Sequence, residues 1–215
     1  MEAFIKKYEY NYIKKCLQDL NSAFRNCVDT NVIEVSKAYI HDKILSLFTN
    51  LSDEERELLD ISKINDPTQI DKYLDELNEY VYGMPSITKP KIIKLFRKEK
   101  NLKLPKPSLQ DSKNVYLGWI DETTRKLFLI YNMDGKFVGM VCKIPSHNSN
   151  NTNMCSLCNH VGSENEVAFV SAICKTKGNY KSLGFNICLD SQKCNERIVS
   201  IEKLEKILKD VNNIK

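Results

Sequence analysis

Four cysteines carry the chemistry that this sequence displays most openly. Cys155 and Cys158 form a C-x2-C pair, Cys188 and Cys194 a C-x5-C pair, and twenty-nine residues lie between the pairs. Four thiolates suit a borderline-soft divalent ion such as zinc, held as a tetrahedron at about 2.3 Å. A C-x2-C turn lets two sulfurs reach one ion from one loop. Cys188 is predicted to end a strand, and Cys194 to lie in the first turn of the helix that follows. There the free N–H groups and the helix dipole favour a thiolate. A knuckle, a hairpin and a ligand at a helix start make a treble-clef arrangement. Four thiolates leave no open position, so the expected cofactor is a single structural Zn2+. The plainer reading is a set of free or redox-active cysteines, and two pairs at ligand spacing argue against it. His160 could replace one ligand, though two residues after Cys158 it suits a place beside the site better. Cys16, Cys27, Cys142 and Cys174 lie in apolar patterns and read as small core residues.

The rest of the chain has to position those sulfurs. Its 215 residues, 42% hydrophobic and 28% charged, suit one large or two small globular domains. The longest apolar runs are too short to cross a bilayer. Met1 to Lys7 leads straight into a polar, helix-like segment, so no signal peptide is expected and the chain is expected to be cytoplasmic. In a reducing compartment paired cysteines bind metal more often than they form disulfides. The net charge of +4 is too small to imply a nucleic-acid partner by itself.

The predicted fold class is α+β, divided at Gly83-Met-Pro85 into domains 1–83 and 84–215. The first domain reads as a four-helix bundle. Ile13, Leu17, Leu20, Phe24 and Cys27 share one helix face, and Ile33, Ile40, Ile44 and Leu47 another. Asp29 can cap the second helix. Ser52-Asp-Glu-Glu55 is a capping box, and Asp66-Pro67 starts the helix lined by Ile70, Leu74, Leu77 and Val81. The segment from Pro85 to Pro107 is predicted as a basic helix with eight Lys or Arg residues and one acid, Glu99. Ile92, Leu95 and Phe96 can anchor it, and a solvated cationic face is the plainer reading of its charge. Alternation then predicts strands over 115–120, 126–132 and 136–143, the last two joined at Asp134-Gly135 as a meander. Ser146 to Asn153 reads as a loop, Val167 to Cys174 as a strand, and Ile201 to Val211 as a C-terminal helix capped by Ser200.

Catalytic signatures are missing. The sequence has no phosphate-binding glycine loop and no nucleophile elbow. His41 and His147 have no nucleophile partner in the pattern. A binding protein is expected rather than an enzyme.

Several motifs together resemble the FusB-type elongation factor G-binding proteins, which protect translation against fusidic acid. They are Tyr10-Asn-Tyr-Ile13, Met84-Pro-Ser86, Lys94-Leu-Phe-Arg-Lys98, Leu102-Lys-Leu-Pro105, Tyr116-Leu-Gly-Trp119, Arg125-Lys126, Lys136-Phe-Val-Gly139, Gly178-Asn-Tyr180, Gly184, and Ile187 to Asn195 with its Asp-Ser and Cys-Asn dipeptides. The resemblance implies a helical bundle followed by a treble-clef zinc domain. It implies binding of elongation factor G, on or off the ribosome, and promotion of its release, by a monomer with no membrane and no small-molecule substrate. Carried over by position, the contact surface would include Met154, Leu183, Asn186 and Ile207, with Tyr180 and Phe185 nearby. Members often have aromatics where this chain has Met154, Asn186 and Ile207, and a lysine in place of Leu183. The alternative is a zinc-finger protein binding ribosomal RNA through segment 85–107 and Lys175, Lys177, Lys181 and Lys193.

Overall fold

The computed structural model describes residues 1–109, 113–146, 151–175 and 181–214. They form two compact units, Met1–Tyr82 and Gly83–Lys215.

The first unit contains β1 (Ile5–Lys6), α1 (Lys7–Asn26), α2 (Thr30–Leu45), α3 (Asp53–Leu58), α4 (Thr68–Asn78) and β2 (Val81–Tyr82). Ile13, Leu17, Leu20, Ile40, Ile44, Leu74 and Leu77 share its core. Phe24, Cys27, Ile33 and Leu47 are half-buried. On α2 the step between Ile33 and Ile40 is taken by a buried lysine, Lys37. Its Nζ contacts Glu34 at 2.9 Å and the Ser62 carbonyl at 3.4 Å, which satisfies a charge that burial would otherwise penalise. The capping box forms: Glu55 N donates to Ser52 Oγ at 3.2 Å, and Ser52 N to Glu55 Oε2 at 2.8 Å. Asp29 caps α2 by accepting from Asn31 N. The helical reading of residues 1–82 misses the parallel pair of β1 and β2, Ile5 against Val81 and Lys6 against Tyr82. Two residues are too few to carry a period.

The second unit contains α5 (Lys89–Leu95), β3 (Leu117–Asp121), β4 (Lys126–Met133), β5 (Lys136–Lys143), β6 (Thr152–Met154), β7 (Val161–Ser163), β8 (Val167–Ile173), β9 (Ser182–Cys188), α6 (Ser191–Arg197) and α7 (Glu202–Asn212). The meander grows into a five-stranded antiparallel sheet, β3-β4-β5-β8-β9, and β6 pairs with β7 in a separate hairpin. Asp134 and Gly135 turn β4 into β5 with φ of 49° and 80°, as a two-residue turn of that kind requires.

Two expectations are corrected. Thr152 and Asn153 belong to β6 and not to a loop, because they pair with Ser163 and Gly162. The basic helix stops at Leu95, well short of Pro107. Phe96 leaves helical geometry at φ −110°, Asn101 takes a left-handed φ of 57°, and Pro105 and Pro107 supply no N–H to continue it.

One sheet face carries Leu117, Trp119, Phe128 and Ile130 under Ile92 and Phe96. Phe96 meets Trp119 and Phe128 edge-on, at 5.7 and 5.2 Å between ring centroids. The opposite face receives α6 and α7. Ser191 packs on Gly118, and the Tyr131 hydroxyl bonds Glu205 at 3.1 Å. No helix among the described residues is long and apolar enough to cross a membrane.

Candidate metal centre and partner surface

Cys155 and Cys158 sit on the turn between β6 and β7. The turn is closed by Cys155 N donating to the His160 carbonyl at 2.8 Å and Asn159 N donating to the Cys155 carbonyl at 2.9 Å. Asn159 takes the left-handed φ of 60° that this tight reversal demands. Ser156 N donates to the Asn186 carbonyl, which docks the turn on β9. Cys188 is the last residue of β9. Cys194 lies at the end of the first turn of α6, whose cap is Asp190, accepting from Gln192 N and Lys193 N.

The four sulfurs lie within 4.8 Å of one another. Cys155 and Cys194 are 3.9 Å apart, and Cys158 and Cys188 3.5 Å. These separations exclude disulfides, which need about 2.05 Å. They bracket the edge of about 3.8 Å that a tetrahedron of thiolates at 2.3 Å from zinc would have. His160 is not among the clustered ligands and contributes a backbone carbonyl.

The electrostatics point the same way. Cys155 is held far below the usual thiol range because Cys158, Cys188 and Cys194 all hydrogen-bond to it. Cys188 and Cys194 are pushed far up, chiefly by Cys155 and Cys158. Four such sulfurs cannot all ionise together unless a cation joins them. The buried Tyr116 hydroxyl has no oxygen or nitrogen partner and faces Cys194. A metal-bound thiolate could accept a hydrogen bond from it, which would account for an otherwise orphaned group. The donor set therefore fits zinc, and zinc bound there would cross-link the β6–β7 turn, β9 and α6.

A second layer, which spacing gives no sign of, holds α6. Asn195 Oδ1 accepts from Val115 N at 2.7 Å and Tyr116 N at 3.0 Å. Its Nδ2 donates to the carbonyls of Tyr116 at 2.9 Å and Ser191 at 2.8 Å. A Cβ at Gly118 would come within 2.3 Å of Ser191 Oγ, so only glycine lets β3 lie this close to α6.

Residues 4–85 match the family described as elongation factor G-binding protein, N-terminal, and residues 91–212 the family described as FBP C-terminal treble-clef zinc-finger. The chain belongs to the elongation factor G-binding protein family. The structure of the fusidic acid resistance protein FusC superposes with a TM-score of 0.77 at 24% identity, over 98% of each chain. That likeness concerns the fold. No curated protein matches the sequence.

The family's positional contact residues fall at different depths. Met154 is 54% exposed at the end of β6. Asn186 and Leu183 are half-buried on β9, and being three apart they face opposite sides of the sheet. Ile207 is half-buried on α7, while Phe185 is buried and cannot offer a surface ring. Tyr180, His147 and Lys177 lie outside the described residues.

Proposed function

We propose that the chain binds elongation factor G through its zinc-bearing unit and promotes release of the factor from the ribosome, protecting translation from fusidic acid. The observation that carries this reading is the pair of adjoining family matches, residues 4–85 and 91–212, the second containing the four-cysteine cluster. The proposed contact surface is Met154, Tyr180, Leu183, Asn186 and Ile207. β9 ends the sheet order, so residues on both of its faces can meet one partner that wraps this edge. Structural zinc at Cys155, Cys158, Cys188 and Cys194 would hold that edge in shape.

No catalysis is required. A binder that favours the released conformation of the factor supplies the differential free energy that shifts the equilibrium. Drug and nucleotide need not touch it, and the chain is proposed to act as a cytoplasmic monomer without enzymatic activity.

The direct test is co-purification with elongation factor G, followed by pelleting of ribosomes stalled with the factor and fusidic acid. A stable complex and transfer of the factor to the supernatant are expected. No complex at micromolar concentrations overturns the reading. A folded Met154→Ala, Ile207→Ala double variant with unchanged affinity would move the interface elsewhere.

A further inference from the structure

The sheet face that α5 covers at β3–β5 continues over β8 and β9, where it is buried at Val167 and Cys188 and, among the described residues, open from Phe169 to Ile173. Phe169 stands there 49% exposed and Ile173 48% exposed, two steps apart on the same side of β8. The far end of the Phe169 ring reaches over Gly184 of the neighbouring strand, where an added Cβ would come within 2.5 Å of its Cζ. The glycine diagonal to it leaves room for a ring that stays half exposed to solvent. Ser171 lies between Phe169 and Ile173, and Asn186 pairs directly with Phe169.

Cations surround this platform. Lys143 pairs with Ser171 from β5. Phe96 rests on Gly139 of the same β5 face, and Arg97 and Lys98, which follow it, lie close enough to act on the charge of Lys175 just past β8. The Lys175 ammonium is held below the usual lysine range by burial and then by Lys98 and Arg97. The acids of this face already have partners: Glu99 pairs with Lys126, and Asp121 with Lys103. Among the described residues Arg97, Lys98 and Lys143 form no ion pair, whereas Lys175 Nζ turns to α7 and donates to Asn212 Oδ1 at 2.6 Å. Mutually repelling cations beside an open ring call for a polyanion that also carries flat apolar groups.

We propose that this face binds single-stranded RNA, one base stacking on Phe169 and the adjoining phosphates lying along Lys143, Arg97 and Lys98. From Phe169 to Lys175, two residues past the end of β8, the six residue steps span at most about 20 Å, room for the handful of nucleotides that the smallest single-strand sites hold. Ser171 and Asn186 flank the ring with polar groups suited to a ribose 2′-hydroxyl. The basic stretch after α5, which factor binding leaves without a role, thereby acquires one.

The test is fluorescence anisotropy of a short labelled oligouridine with the zinc-loaded full chain, across a salt series. Three phosphate contacts predict a log–log salt slope of about −2, and R97Q/K98Q reduces it to about −0.7. Phe169→Ala weakens binding about tenfold without changing the slope, Phe169→Leu does the same, and Phe169→Trp restores it. Zinc content equal to wild type certifies the fold of each variant. No saturable binding at low salt overturns the proposal, as does equal binding of the matching oligodeoxythymidine. Displacement of the RNA by an equal concentration of polyglutamate would mark an acidic protein as the true occupant. Unchanged affinity in both Phe169→Ala and Phe169→Leu also overturns it.

Discussion

Asn195 grips the backbone of Tyr116 at both ends of its amide, accepting from Tyr116 N at 3.0 Å and donating to Tyr116 O at 2.9 Å. The residue before Asn195 is the ligand Cys194, and the Tyr116 hydroxyl faces that same sulfur. Strand and helix are thus fixed to each other through the backbone, with the Tyr116 ring packed toward the Cys194 sulfur. Asn195→Ala leaves buried N–H and C=O groups of Tyr116 unpaired and should destabilise the zinc-bearing unit by about 2–4 kcal/mol. Urea denaturation followed by Trp119 fluorescence measures it. A loss below about 0.5 kcal/mol would show that water replaces the amide.

Serine at any one of Cys155, Cys158, Cys188 or Cys194 should abolish zinc retention and unfold the zinc-bearing unit, while the unit Met1–Tyr82 keeps its helices. Elemental analysis and circular dichroism read the two effects separately. Protein purified without chelators that contains no zinc would remove the metal assignment.

Tyr116→Phe deletes one buried hydroxyl and nothing else. Without its O–H to the Cys194 sulfur, zinc should leave faster under a chromophoric chelator, by several-fold. An unchanged rate would mean that the hydroxyl does not reach the ligand.

Phe96→Ala should cost about 3–4 kcal/mol, because it empties the slot against Trp119 and Phe128. Trp119 is the only tryptophan, so its emission reports this cluster without interference. The stretch after α5 should become protease-sensitive in the same variant.

Asp121 is held below the usual carboxylate range chiefly by the Thr124 hydroxyl, at 2.8 Å, with Lys103 and Thr123 N adding to it. A depressed carboxyl gives stability that is present above its unfolded value, about pH 3.9, and is lost as pH falls through the lower folded value. Asp121→Asn should therefore lower the melting temperature at neutral pH and converge with wild type in acid. Parallel curves at every pH would show that the charge is irrelevant.

The clustering of the four cysteines was legible in the sequence because a shared metal would fix both residue type and spacing. The antiparallel sheet, the Asp134-Gly135 turn and the Ser52 capping box were legible for a similar reason: each rule acts within a few residues. Asn195 was not legible as a clamp, since its partners lie about eighty positions away and set no period. The basic segment looked helical by composition, yet Asn101 in a left-handed conformation and two prolines end it early. Phe169 sat inside a recognised strand, but alternation could not tell its face from that of Val170. Only its place diagonal to Gly184 and its exposure show that the ring is open to solvent.

The short parallel pair of Ile5 with Val81 brings the start and finish of the helical unit to adjacent positions on one ladder. A segment whose two ends meet can be re-joined there by a short linker and opened elsewhere. Leu51, half-buried in the turn between α2 and α3, precedes a box that caps α3 by itself. A circular permutant of residues 1–82 opened just before Ser52 should keep its helices, and the unit could be grafted whole into a surface loop of another protein.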